Sequence, residues 1–546
     1  MLHQKIDPVV RIFGAGKKVL INIFFLLITF KCQKRELTNI PPEIPRFVSG
    51  PINGGVGIIY RFQFFILDRD SDYVSFRIDW GDGNISNWSE YLPSWSLVEM
   101  AHSWCEPGIY YVRGQAKDRK GALSPWSEGH PMQILNIWSR TYGGALWDYG
   151  YSVQLTSDGG YIIAGETYSL GAGEADVYLI KTDELGNLIW QKTYGGIYND
   201  WGRSVQPTPD GGYIVVGSTQ SFGAGEYDVY LIKIDAFGNE IWHKTFGGRD
   251  YDYGYSVQQT SDGGYLIVGS TSSFGGSGSD IYLIKTDEGG NEIWSQVFNI
   301  GSYDHGYSLQ RTPDGGCVIV GTTYSSQKEE YDIFLIKTDG IGNLIWKRTY
   351  GGNYDEFGYS IEVTSDGGYV IVGATSSFGA GEFDLYLIKT DNLGNEIWEK
   401  TFGGDACDYG SSVKPTPDGG YIIVGRTTSS SAYLSDIYLI KTNNNGEALW
   451  VNIYGGNGED YGCSIQLAGD GGYIIAGWTT SFGSGRSDVY LIKTDAEGSN
   501  SSPCKLREFS VYRQWSRWFK NLDVSDPINP KEVGYYDTDG VGYNSY

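Results

Sequence analysis

Most of the chain consists of short apolar runs separated by turns that are rich in Gly and Asp. Tyr213–Ser218 and Val229–Ile232 are mainly apolar at successive positions, which is typical of strands buried on both faces. Ile189–Tyr194 carries a polar pair, which indicates an exposed edge strand, because charge there opposes sheet-to-sheet association. Gly202–Thr208 precedes Pro209–Gly212, whose Asp-Gly step favours a tight hairpin. The pattern therefore predicts four antiparallel strands.

This pattern occurs seven times with a constant step of 52 residues. The Asp of the Asp-Gly-Gly hairpin recurs at Asp158, Asp210, Asp262, Asp314, Asp366, Asp418 and Asp470. A Trp preceded by Ile or Leu recurs at Trp138, Trp190, Trp242, Trp294, Trp346, Trp398 and Trp450. A fixed period of this length, made of strand-like runs and Gly-rich turns, predicts an all-β fold, a seven-bladed β-propeller.

The residue types also predict the order of strands within a blade. The Gly-x-Ser strand should be innermost, because small side chains fit where seven strands converge, and the Trp strand should be outermost. The last unit has no Trp strand of its own, whereas Ile137–Arg140 precedes the first unit. We therefore expect the ring to be closed by the N-terminal outer strand, with Trp138 beside Val489–Lys493.

Residues 41–134 form a separate module with a Pro-rich entry and alternating apolar and polar positions from Ile58 onwards. Its motifs are Asp79-Trp80-Gly81-Asp82-Gly83, His102-Ser103-Trp104, Pro107-Gly108-Ile109-Tyr110, and Asp118 with Gly121. They resemble those of the PKD domain, which implies a small extracellular β-sandwich with an immunoglobulin-like arrangement.

Two further resemblances concern the rest of the chain. In each unit a Trp strand ends in Gly-Gly and is followed by Asp-aromatic-Gly, as in secreted propeller repeats of the SBBP type. Phe298-Asn299-Ile300 is the one departure from this pattern, and the family implies no agreed activity. Residues 501–546 contain Asp523–Pro530 and Val533–Asp537, which resemble one LVIVD repeat. We therefore expect a signal region at 1–36, the PKD-like module at 41–134, the propeller at 135–500 and this tail.

Charge and the N-terminal pattern restrict the location and the partners. A net charge of -24 argues against a nucleic-acid partner. Lys17-Lys18 followed by Val19–Phe30 predicts a secretory signal, because the apolar run is too short to span a bilayer. We expect a secreted or cell-surface protein without a transmembrane span in the mature chain, and a monomer. Thr29–Lys31 lacks the small residues that precede a lipidated cysteine, which argues against a lipid anchor at Cys32.

Metal and disulfide chemistry find little support in the sequence. The six cysteines show no paired spacing, so neither a metal framework nor a disulfide framework is expected. Asp68, Asp70 and Asp72 alternate in one loop of the PKD-like module and are weak candidates for calcium ligands. The alternative is a turn in which these side chains accept bonds from the local backbone. No other cofactor is predicted.

The loops that precede the inner strands contain the candidate ligand face. An acidic residue stands there in every unit, at Asp148, Asp200, Asp252, Asp304, Glu356, Asp408 and Asp460. An aromatic ring follows each one, at Tyr149, Trp201, Tyr253, His305, Phe357, Tyr409 and Tyr461. This ring of groups suits sugars or cations. The alternative is architectural: each carboxylate accepts bonds from its own loop, and each aromatic ring packs between blades.

The sequence predicts binding rather than catalysis. The propeller contains only His243 and His305, and no Ser-His-Asp set or phosphate loop is recognisable. We expect a non-enzymatic binding or adhesion scaffold whose partners are surface glycans or extracellular proteins. The two alternatives are a multivalent carbohydrate-binding lectin and a polysaccharide-active hydrolase or lyase. The strongest departures from sevenfold symmetry are expected at Arg203, Phe298–Ile300 and His305.

Overall fold

The computed structural model describes residues 39–70, 73–429 and 434–499. The predicted signal region, Cys32, Asp72 and the LVIVD-like tail lie outside these ranges. The described chain is all-β, and within these ranges no helix has the length and apolarity required to cross a membrane.

The first seven strands enclose one core. They are β1 (Arg46–Ser49), β2 (Asn53–Gly55), β3 (Tyr60–Ile66), β4 (Val74–Asp79), β5 (Ser96–His102), β6 (Gly108–Asp118) and β7 (His130–Leu135). One sheet has the order β1-β3-β5 and the other the order β2-β7-β6-β4. Phe62 and Phe64 of β3 pack with Phe76 of β4 in this core. Trp80 and Trp104, from the motifs that resemble a PKD domain, lie in the same cluster.

The repeat region forms four-stranded antiparallel sheets, numbered here from sheet 1 to sheet 7. The first strands are β9 (Asp148–Leu155), β13 (Asp200–Pro207), β17 (Asp252–Gln259), β21 (Tyr303–Arg311), β25 (Glu356–Val363), β29 (Asp408–Pro415) and β33 (Asp460–Leu467). The second strands are β10 (Tyr161–Thr167), β14 (Tyr213–Thr219), β18 (Tyr265–Thr271), β22 (Cys317–Ser325), β26 (Tyr369–Thr375), β30 (Tyr421–Thr427) and β34 (Tyr473–Thr479).

The third strands are β11 (Asp176–Thr182), β15 (Asp228–Ile234), β19 (Asp280–Thr286), β23 (Glu330–Thr338), β27 (Asp384–Thr390), β31 (Asp436–Thr442) and β35 (Asp488–Thr494). The fourth strands are β12 (Leu188–Tyr194), β16 (Glu240–Phe246), β20 (Glu292–Phe298), β24 (Leu344–Tyr350), β28 (Glu396–Phe402), β32 (Ala448–Tyr454) and β8 (Trp138–Tyr142). Strand β8 precedes sheet 1 in the chain but belongs to sheet 7, in the order β33-β34-β35-β8.

The pairing of β8 with β35 is antiparallel, and Trp138 lies opposite Lys493. This is the pairing that the sequence predicts. Trp138 is buried, and its cluster combines residues of sheet 7 with residues of sheet 1, such as Val153 and Tyr161. The Val153 N–H also donates to Ser464 Oγ of sheet 7, at 3.2 Å. Sheets 1 and 7 are therefore joined through their packing and their hydrogen bonds.

Glycines are needed at two kinds of position in every unit. Gly211 in the hairpin between the first and second strands has φ of 83°, a conformation that L side chains rarely adopt. Gly150 on β9 lies against the adjacent sheet, where a Cβ would be 2.8 Å from the Gly477 carbonyl oxygen. Small residues on the first strand thus permit close approach of neighbouring sheets.

Candidate functional site

The candidate site is the loop face, defined as the loops between fourth and first strands together with the loops between second and third strands. These two sets of loops are bonded to each other: the Ser221 hydroxyl accepts a hydrogen bond from the Tyr198 N–H at 3.1 Å. The loop face therefore contains the predicted acidic residues and the predicted aromatic rings, all of which follow the Gly-Gly motif.

The predicted acidic residues are buried and hold their own loops together. Gly196 N–H donates to Asp200 Oδ2 at 2.8 Å, and the Ser221 hydroxyl donates to the same oxygen at 2.6 Å. Thr219 donates to the other carboxylate oxygen. All seven residues are 0% exposed: Asp148, Asp200, Asp252, Asp304, Glu356, Asp408 and Asp460. We assign these carboxylates a structural role, because a ligand arriving from solvent cannot reach them.

A second acidic residue lies close to each of these carboxylates. A Cβ at Gly195 would be 2.3 Å from Asp176 Oδ1 and 2.6 Å from Asp200 Oδ2, so this Gly separates two carboxylates of adjacent sheets. Burial raises the pKa of Asp176, and the charge on Asp200 adds to that increase. The Ala172 N–H donates to Asp176 Oδ2 at 2.9 Å and acts in the opposite direction.

The predicted rings remain half-buried at the loop face, at Tyr149, Trp201, Tyr253, His305, Phe357, Tyr409 and Tyr461. Several are joined by aromatic residues that precede the third strands, which sequence reasoning missed. Tyr227 stacks on Trp201 with the ring centroids 4.7 Å apart, and it lies 5.5 Å from Tyr253. Phe383 lies 5.8 Å from Phe357 and 5.4 Å from Tyr409. The rings thus form aromatic arcs across sheet boundaries.

The missed residues occupy one equivalent position, directly before the Asp that begins the third strand. In unit order that position holds Ala175, Tyr227, Ser279, Tyr331, Phe383, Ser435 and Ser487. Alignment of the units would have revealed three aromatic residues among small ones. Their irregular occurrence makes the arcs discontinuous, so the seven loops do not offer equal surfaces.

A charged cluster of Tyr151, Glu166 and Arg203, called here the Glu166–Arg203 cluster, lies beside the first strands of sheets 1 and 2. Glu166 Oε1 accepts a hydrogen bond from the Tyr151 hydroxyl at 3.0 Å, and Arg203 Nη2 lies 3.7 Å from Glu166 Oε2. The Arg203 guanidinium stacks 4.2 Å from the Tyr151 ring centroid. Burial raises the pKa of Glu166, while Arg203 and Tyr151 oppose that increase. The sequence singled out Arg203 but not Glu166.

A second unusual cation lies at the boundary between sheets 6 and 7. Arg426 on β30 stands with its guanidinium carbon 4.3 Å from the Tyr409 ring centroid and 4.6 Å from the Tyr461 ring centroid. The two rings belong to sheets 6 and 7. Trp478 extends this group, because it stacks on Tyr461 at 4.0 Å and contacts Tyr149 edge-on at 5.2 Å.

The remaining symmetry departures have structural explanations. Asn299 replaces the first Gly of the Gly-Gly motif, and its amide donates to Asp280 Oδ1 at 2.6 Å. His305 stacks on Tyr307 at 6.0 Å, and burial lowers its pKa, so the neutral imidazole is favoured. His243 lies on the fourth strand, where Nδ1 is 2.7 Å from Glu240 Oε1.

The calcium candidates of the PKD-like module are used in local turns. Asp68 is buried, and its Oδ1 accepts a hydrogen bond from the Asp70 N–H at 2.8 Å. The Asp70 carboxylate accepts another from the Ile40 N–H at 2.8 Å. Among the residues described, no three His, Cys, Asp or Glu side chains are grouped in a way that could hold a metal ion. This geometry favours the local-turn interpretation.

Comparisons with known proteins give limited similarity. No family model matches the chain. The chain is similar to the regulatory protein FlaEY of Caulobacter vibrioides, with 28% identity over an alignment of 138 residues; the match covers 22% of this chain and 14% of that protein. It thus spans only a small part of that curated relative.

Two solved structures are similar to parts of the chain. The PKD domain of an M14-like peptidase from Thermoplasmatales archaeon SCGC AB-540-F20 matches with 34% identity and a TM-score of 0.17, covering 18% of this chain and 97% of that one. A β-1,2-mannobiose phosphorylase from Listeria innocua matches with 11% identity and a TM-score of 0.24, covering 66% and 91% of the two chains. Scores of this size support no conclusion about function.

Proposed function

We propose that the seven sheets are the blades of a closed β-propeller. The support comes from the packing: each buried apolar cluster of the repeat region combines two consecutive sheets, and one further cluster combines sheet 7 with sheet 1. First strands of neighbouring sheets contact each other throughout the series, and β33 contacts β9. Strand β8 then acts as the closing strand of the last blade.

The chain is, in this proposal, an exported, non-enzymatic binding protein that engages carbohydrate through its loop face. The observation that carries this function is the partial exposure of the aromatic rings of Trp201 and Tyr253, which the buried Tyr227 joins, while the neighbouring carboxylates are fully buried. Aromatic faces stack on the apolar faces of sugar rings, and they hold their shape with little entropy to lose. Weak contacts of this type on several blades reinforce one another through effective concentration.

The competing function is that of a polysaccharide-active enzyme, whose active site would be the Glu166–Arg203 cluster. Glycoside hydrolysis uses two carboxyl groups on opposite sides of the scissile bond, about 5 to 10 Å apart. Glu166 is bound by Tyr151 and faces Arg203, whereas the neighbouring Asp148 and Asp200 are bound inside their loops. One paired carboxylate does not supply both an acid and a nucleophile or base, so the cluster favours binding.

A glycan array with and without calcium tests the proposal on the whole protein. Trp201→Ala and Tyr253→Ala should each weaken binding to the glycans that the parent chain binds about three- to tenfold, the value of one aromatic contact. Ile241→Ala is the control, because Ile241 is exposed on a fourth strand, away from the loop face. Binding unchanged in both aromatic variants, or turnover of a bound glycan, would contradict this function.

A further inference from the structure

Arg426 differs from every equivalent residue of the other units. The second-strand position that it occupies holds, in unit order, Glu166, Ser218, Ser270, Thr322, Ala374, Arg426 and Trp478. Small or hydroxyl side chains at four of these positions show that the fold does not require a cation there. A long charged side chain at this position therefore calls for a reason other than packing.

Two tyrosine rings lie close to the Arg426 guanidinium. Tyr409 and Tyr461 cover it at 4.3 Å and 4.6 Å from their ring centroids, and the side chain is half-exposed. It interacts with the Tyr409 side chain and forms no ion pair with any residue of the described ranges. A guanidinium has five N–H donors, so its contacts with two tyrosines leave donors for an incoming acceptor.

Arg203 provides a comparison within the same protein. It also stacks on a tyrosine of the first strands, Tyr151, but Glu166 lies 3.7 Å from its guanidinium. The charge of Arg203 is thus matched inside the protein, whereas Arg426 has no matching carboxylate among the residues that the structure describes. The nearby Asp408 and Asp460 do not fill this role, because both are buried and accept bonds from their own loops, from Gly404 and Gly456 respectively.

We propose that Arg426 binds a carboxylate of an acidic saccharide, so that the glycans recognised at the loop face are those that contain uronate units. A planar carboxylate can accept two parallel N–H bonds from a guanidinium, and the contacts with the two tyrosines restrain this side chain before binding. Adjacent neutral parts of the sugar rings stack on Tyr461 and on Trp478, which is 4.0 Å from it. This inference rests on the proposed carbohydrate-binding function.

The test compares three probes on the full chain by calorimetry: a galacturonate oligomer, its methyl ester, and a sulfated neutral oligomer. We expect the galacturonate oligomer to bind best. Arg426→Ser should weaken its binding at least about tenfold, the value of a charge-assisted hydrogen bond, and leave binding of the ester within about twofold. Serine is the residue that Ser218 and Ser270 already place at this position, so the variant should fold.

Arg486→Ser is the matched control. Arg486 is an exposed cation on the loop face that lies over Trp147, at 4.4 Å from the ring centroid, so its removal changes the net charge equally. Equal losses in both variants, equal binding of acid and ester, or preference for the sulfated probe would overturn the uronate assignment. Absence of binding to all three probes, with no effect of Trp201→Ala on the array, would instead overturn the proposed function.

Discussion

The face opposite the loop face contains an ion pair that recurs in the units. Substitution of its lysine and of its carboxylate should have very different effects on stability. In unit 2, Lys233 Nζ lies 2.8 Å from Asp210 Oδ2 and also bonds to Thr208 Oγ1 at 3.0 Å. The Lys233 side chain is only 7% exposed, whereas the Asp210 side chain is 57% exposed. We predict that Asp210→Asn destabilises the protein much more than Lys233→Met.

The magnitude follows from which charge is left behind. The pKa of Asp210 is lowered from 3.8 to about 2: burial raises it, but bonds from Lys233, Thr208 and Gly212 outweigh burial. Screening of this exposed carboxylate by solvent reduces the implied interaction to about 1 kcal/mol. Asp210→Asn also leaves a buried ammonium without its counter-charge, which brings the total to about 2–3 kcal/mol. Lys233→Met leaves a hydrated carboxylate and an apolar side chain, and should cost less than about 1 kcal/mol.

Urea unfolding of Asp210→Asn, Lys233→Met and the double variant measures these differences. The double variant should recover most of the loss of Asp210→Asn, because the unpaired ammonium is gone. The sign of the pH dependence is also defined: a lowered carboxyl pKa contributes stability that is present above pH 3.8 and is lost as the pH falls towards about 2. The difference between Asp210→Asn and the parent chain should therefore shrink at low pH. A Lys233→Met loss equal to that of Asp210→Asn would refute the reasoning.

Two further predictions concern the pairing of β8 with β35 and the departure from the repeat at Asn299. Trp138→Ala should lower the free energy of unfolding by about 3–5 kcal/mol, because Trp138 is buried between sheets 7 and 1. Trp294→Ala is the control, because Trp294 is half-exposed on its own fourth strand. An equal loss in Trp294→Ala would argue against a special role of β8. Asn299→Gly restores the first Gly of the motif but removes the 2.6 Å bond to Asp280. The thermal midpoint should therefore fall by a few degrees, equivalent to about 1 kcal/mol. An unchanged midpoint would show that this bond contributes nothing.

The architecture of the repeat region could be predicted from sequence because its signals are local and occur in every unit. Gly211 marks a turn by its backbone conformation alone, and Val229–Ile232 shows by continuous apolarity that both faces of β15 are buried. The position of Trp138 beside Lys493 followed from counting strands at the two ends of the series. None of these inferences depends on how a side chain is oriented.

The candidate site was harder to predict because its properties depend on loop conformation. The sequence identifies Asp200 as an acceptor, but only the folded loop shows that Gly196 and Ser221 bind it and exclude solvent. Tyr227 stands in a Gly-rich loop with no periodic pattern around it, so its stacking on Trp201 has no signal in a single unit. Such residues become visible only when equivalent positions of all units are compared.

Because the units are repeated, the architecture can be predicted from any one of them. Information about function must then come from the residues that differ between units. Comparison of the units identifies exceptions such as Asn299, Glu166 and Arg426, but it does not separate structural substitutions from functional ones. The partner of each side chain does: Asn299 binds Asp280, and Glu166 is matched by Arg203. Arg426 has stacking partners but no counter-charge in the described ranges. Among these exceptions, Arg426 is therefore the residue whose charge a bound carboxylate would neutralise.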